Sequence, residues 1–129
     1  MTYSAYSKTQ NLTPQSSRDV EYRLLGQVTA ALIEAEAAQD NVAKRVDAIS
    51  WNREVWAVLR RDLTHPQNLL PKSLKDQLVD LANWVDRETF RILSGDSITV
   101  DGLIDINRNI MDGLKPKVKP QETELSSPQ

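Results

Sequence analysis

The chain predicts an all-α fold: a single-domain bundle of about four helices, with a disordered C-terminal tail. Three observations carry that reading. Apolar residues recur at intervals of three and four through four long segments, which is the period of an amphipathic helix. The prolines fall between those segments rather than inside them, where they would break the hydrogen-bond ladder. No stretch shows the two-residue alternation of a half-buried strand.

The first helix lies between Pro14 and Gln39, where Val20, Leu24, Val28, Ala31, Leu32 and Ala35 form an apolar arc and proline suits the first turn. Asp40 and Asn41 interrupt it and offer a side-chain cap for the second helix, Val42 to about Leu63. There Val42, Val46, Ile49, Trp56, Leu59 and Leu63 share one arc. The segment THPQNLL, residues 64–70, has no period and hands over to Pro71 and Ser73, either of which can begin the third helix. Leu74, Leu78, Leu81, Ala82, Val85, Ile92 and Leu93 supply its buried arc. Gly95 supplies its stop, because glycine takes the left-handed conformation without penalty. The fourth helix starts near Thr99 and runs to about Leu114, with Pro116 barring continuation.

These boundaries divide the chain into an N-terminal arm at 1–13, a helical bundle at 14–114 and a tail at 115–129. In the arm only Tyr3 and Tyr6 are large. The tail, KPKVKPQETELSSPQ, has three prolines and almost no apolar residues, too few to offset the entropy of ordering it.

Two asparagines stand out. Asn52 falls within the apolar arc of the second helix, and Asn107 falls near the centre of the arc formed by Val100, Leu103, Ile104, Ile106, Ile110, Met111 and Leu114. A buried amide without partners costs about 1–3 kcal/mol, so both are expected to be structural, hydrogen-bonding across the bundle and fixing register. Arg53 and Arg108 follow them directly. They are expected as part of the same structural polar set, with stems over the core and guanidinium groups meeting Glu88, Asp105 or Glu21.

SWNREVW, residues 50–56, places two tryptophans five apart, about 140° around a helix. Trp56 joins the main arc, whereas Trp51, Val55 and Val58 lie away from it. The expectation is an exposed, partner-binding strip of Trp51, Val55 and Val58, extended by Trp84 at the margin of the third helix. Val79 and Phe90 lie nearly opposite that helix's arc and either extend the strip or close a small second core. The bland alternative makes Trp51 part of the core of a central helix covered on both faces.

Composition narrows the chemistry. Without cysteine there is no disulfide and no thiolate nucleophile or ligand, and one histidine, His65, is too few for the usual zinc sites. Asp101, Asp105 and Asp112 read as helix-dipole and surface carboxylates rather than an acid–base pair. No phosphate loop or nucleophile elbow is present, so no catalytic, cofactor-binding or metal-binding residues are assigned and the chain is not expected to be an enzyme. The formal charge of −2 and the scatter of Lys44, Arg45, Arg53, Arg60 and Arg61 around the second helix argue against nucleic acid as a direct partner. The start carries neither a secretory signal nor any span long and apolar enough for a bilayer, so no membrane association is expected and the location is read as cytoplasmic.

Five blocks then give a likeness: AYSKTQ at 5–10, EYRLLGQVTAAL at 21–32, SWNREVW at 50–56, LPKSLKDQLVDLANWV at 70–85, and LIDINRNIMDGL at 103–114. In order and spacing the chain resembles the bacterial flagellar protein FlaF family up to Leu114. The HPQN loop and the tail look peculiar to this chain. The resemblance implies a cytoplasmic, non-enzymatic protein of flagellum biogenesis that promotes flagellin synthesis or secretion and engages flagellin directly, with no cofactor or small-molecule ligand. An export chaperone covering flagellin's amphipathic terminal helices is the leading expectation. The alternatives are a post-transcriptional regulator of flagellin messenger RNA and a helical adaptor for another flagellar protein.

Overall fold

A computed structural model describes the backbone of residues 14–96 and 99–114 and the side chains of 18–96 and 99–113. Within those limits the chain is four α-helices, α1 Pro14–Ala37, α2 Val42–Leu63, α3 Lys72–Leu93 and α4 Asp101–Leu114. The all-α prediction holds, with ends within about two residues of the expected ones. The expected arm and tail lie outside the described residues.

Local chemistry sets the helix ends. Asn41 caps α2, its side-chain oxygen accepting from the Lys44 amide at 3.0 Å. Gly95, at φ +88°, ends α3 in a Schellman turn: the Gly95 amide donates to the Ile92 carbonyl and the Asp96 amide to the Arg91 carbonyl. At α4, the Val100 carbonyl accepts the first helical bond from Ile104, and Thr99 Oγ1 takes the Asp101 amide at 3.1 Å. Asp101 then places a carboxylate at the positive end of the helix dipole.

Successive helices run antiparallel. Arg45 on α2 pairs with Glu36 near the end of α1, while Asp62 near the end of α2 meets Glu21 near the start of α1. Arg53 and Arg60 on α2 reach Asp86 on α3, while Thr29 on α1 bonds Asn107 on α4 and Glu36 on α1 bonds Val100 just before α4. Helix α1 thus packs on both α2 and α4, and α2 packs on α3. Trp84 lies over Gly102, where an added Cβ would sit 3.2 Å from the indole, so glycine permits α3 and α4 to approach.

The core gathers Leu25, Val28, Leu32, Ile49, Trp56, Val85, Val100 and Leu103, each at most 2% exposed. Several arcs differ from the expected ones. On α1 the buried line is Glu21, Leu25, Val28, Leu32 and Ala35, turned so that Val20 and Leu24 are only half-buried. A helix clamped between two neighbours buries a broader, rotated face than its most apolar stripe alone indicates. Val42 and Val46, expected inside, are 68% and 41% exposed, and Leu74 and Leu93 are exposed as well. All four sit near helix ends, where fewer neighbours remain to cover them.

Candidate functional site

Two kinds of surface organise this bundle: a polar cluster sealed in the core, and apolar side chains left on its flanks. The cluster centres on Asn107, fully buried on α4. Its Oδ1 accepts from Trp56 Nε1 at 2.8 Å, and its Nδ2 donates to Asn52 Oδ1 at 2.8 Å and to Thr29 Oγ1 at 3.1 Å. One amide therefore ties α4 to α1 and to two successive turns of α2. Asn52 is equally buried, and the two interior amides bond each other directly across the bundle. The contact spans the core between α2 and α4, which face each other diagonally, with α1 packed against both. Each bond contributes about 1 kcal/mol net, yet breaking the set strands several polar atoms in a dry interior. Amide and indole groups do not ionise near neutral pH, so the cluster sets register rather than moving protons.

The arginines depart from expectation. Arg53 and Arg108 are exposed rather than buried structural groups. Arg53 Nε lies 3.7 Å from Asp86 Oδ1, a carboxylate not anticipated as its partner, and Asp86 Oδ2 also receives Arg60 Nη1 at 3.0 Å. The i+1 spacing explains the outcome: about 100° from a core-facing asparagine, a long side chain lands on the α2–α3 seam.

The expected partner-binding strip is also corrected. Val55 and Val58 are 5% and 7% exposed, and Val55 belongs to the main core. Trp84 is half-buried against Gly102, and Trp51 is half-buried against the core, with an indole nitrogen that is enclosed and unpartnered among the described residues. Here the bland reading of Trp51 was the better one. A helix with neighbours on both sides has no wide free face. Trp51 also borders a groove of about 170 Å³ between α1 and α2, lined as well by Ala31, Glu34, Lys44, Asp47 and Ala48.

Of two acidic residues that matter here, Glu36 was not anticipated and Glu21 was expected only as a partner for an arginine. Glu36 Oε1 accepts from the Val100 amide and from Arg45 Nη1, both at 3.2 Å, so it joins α1, α2 and the start of α4. Burial alone would raise its pKa, but the bonds from Val100, Arg45 and Thr99 outweigh that and lower it. Glu21 is buried on α1. Burial first, then a hydrogen bond and charge repulsion with Asp62, push it from the ordinary 4.5 up to about 9, against a small opposing pull from Arg18. No conventional donor among the described residues reaches Glu21 Oε2. A hydrogen bond between two carboxyl groups needs a shared proton, so Glu21 is protonated at neutral pH. Its place in the α1 series 21, 25, 28, 32 was a readable signal.

Exposed large apolar residues supply the other surface: Ile33 on α1, Val42 and Val46 on α2, Leu69 before α3, and Leu74, Phe90 and Leu93 on α3. Phe90 is 71% exposed, so of the two expectations for it, closing a second core is excluded.

The described residues thus define an all-α protein, an antiparallel four-helix bundle keyed by interior amides and carrying exposed apolar side chains on its flanks. Comparison with protein families matches residues 2–114 to the family described as flagellar protein FlaF. The chain belongs to the FlaF family and is a flagellar protein. No curated protein and no solved structure matches it.

Proposed function

We propose that this FlaF-family chain is a non-catalytic cytoplasmic protein of flagellum biogenesis that binds flagellin and holds it unpolymerised until export. Family membership across residues 2–114 carries the reading. The exposed side chains on α2 and α3 are compatible with it, because amphipathic helices such as flagellin's termini are bound through apolar contacts spaced at i, i+3/i+4 and i+7. No helix among the described residues is long and apolar enough to cross a membrane, so membrane insertion plays no part in the proposal.

The test is affinity capture of the full chain from flagellated cells, probed for flagellin protein and flagellin messenger RNA at low and high salt. Stoichiometric flagellin that survives high salt is the expected result. Messenger RNA released by salt, without flagellin, would instead indicate translational control. Another flagellar protein in place of both would indicate an adaptor.

A further inference from the structure

The seam between α2 and α3 has a polar half and an apolar half. In the polar half, Arg53 and Arg60 of α2 meet Asp86 of α3. At about 100° per residue, Val42 and Val46 share the flank of α2 that bears Arg53 and Arg60. Phe90 and Leu93 likewise flank the direction of Asp86 on α3. The antiparallel register set by those ion pairs brings Val46 level with Leu93, and Phe90 level with the turn preceding Arg53. Four of the exposed large apolar side chains therefore fall together where the seam approaches the start of α2 and the end of α3.

The rim of this patch is basic. Arg87, one turn before Phe90, has no ion pair among the described residues, and Arg91 follows Phe90 on the same outward side, held at 2.6 Å by Glu88. We propose that this patch seats one amphipathic helix of a protein partner, its apolar stripe on Val42, Val46, Phe90 and Leu93 and its edge carboxylates against Arg87 and Arg91. Each helix contributes about one turn, but in this register the four side chains together extend over about two turns, from Val42 to the level of Phe90, matching a stripe of i, i+3/i+4 and i+7 anchors. A second copy of this chain fits poorly. Four partly exposed side chains offer only about a few hundred Å², whereas stable dimers bury about 1,600 Å² or more.

Identifying that partner as flagellin rests on the proposed function; the location and charge preference of the surface do not. The test uses the full chain labelled with ¹⁵N and two synthetic amphipathic peptides sharing one leucine stripe, edged by glutamate in one and by lysine in the other. Amide shifts at 42–46 and 87–93, with the glutamate-edged peptide binding at least tenfold tighter, are expected. Shifts elsewhere, or equal affinity for the two peptides, would overturn the surface. A concentration-dependent dimer that shifts the same amides would overturn it in favour of self-association.

In a parallel titration with purified flagellin, F90E should lose at least tenfold in affinity with an unchanged helical spectrum, while I33S on a different flank should stay within twofold. Flagellin binding unaffected by F90E would refute this surface and leave the proposed function standing. Peptide binding at the patch without any flagellin binding would refute the proposed function and keep the surface.

Discussion

Replacing Glu21 with glutamine removes one proton from the folding equilibrium and little else, since the amide keeps the shape and can donate to Asp62. In the folded chain the carboxyl is pushed up to about 9, against 4.5 when exposed. A raised folded pKa means its contribution is fully present below 4.5 and is lost as pH climbs towards 9. At pH 7 the folded carboxyl is still protonated while the unfolded one is ionised, so folding must take up a proton across 2.5 pH units above 4.5, costing about 3 kcal/mol at roughly 1.36 kcal/mol per unit. That figure requires only that the folded value lie above 7. Urea unfolding of wild type and Glu21→Gln at pH 4.5, 5.5, 7 and 8 measures it. The variant should match wild type at pH 4.5 and gain steadily, reaching about 3 kcal/mol at pH 7. A difference that stays near zero across the range would show that Glu21 ionises normally, and its proton-sharing contact with Asp62 would be wrong.

Three further outcomes follow from the same geometry. Asn107→Leu keeps the volume but strands Trp56 Nε1, Asn52 Oδ1 and Thr29 Oγ1, and should cost about 3 kcal/mol in denaturant unfolding, with a shift in tryptophan emission. Glu36→Ala removes the acceptor at the start of α4 and the partner of Arg45, and should cost about 1–2 kcal/mol at neutral pH. Because the Glu36 pKa is lowered, that deficit should shrink as the solution is acidified below 4.5, which unfolding at low pH would read. Gly95→Ala forces a side chain into φ +88° and should cost about 1 kcal/mol, visible as a lower thermal midpoint.

Helix number, the Asn41 cap, the Gly95 stop and the interior position of both asparagines were legible because each depends on chemistry within one or two turns. A polar side chain at the centre of an apolar arc has nowhere to go but the core. The flank residues were not legible in the same way. Whether Val55 faces solvent or a neighbour depends on where α1 and α3 pack, and an i, i+4 pattern on α2 is silent about that. Val42 and Val46 continue the arc of Ile49 and Trp56, yet they sit at a helix end with less to cover them. Arg53 illustrates the same limit. Its charge and position indicated a carboxylate partner, but Asp86 became that partner only through the register of α2 against α3. Glu21 was expected only as a partner for an arginine, although its spacing to Leu25 and Val28 already placed it on the inner face, where its neighbour is Asp62.

Seeded polymerisation of purified flagellin, followed by light scattering while this chain is titrated in, tests the proposed role most directly. Filament growth should fall in proportion to added chain and stop near equimolar amounts, with F90E far less effective than wild type. Undiminished growth in the presence of excess folded chain would contradict that role.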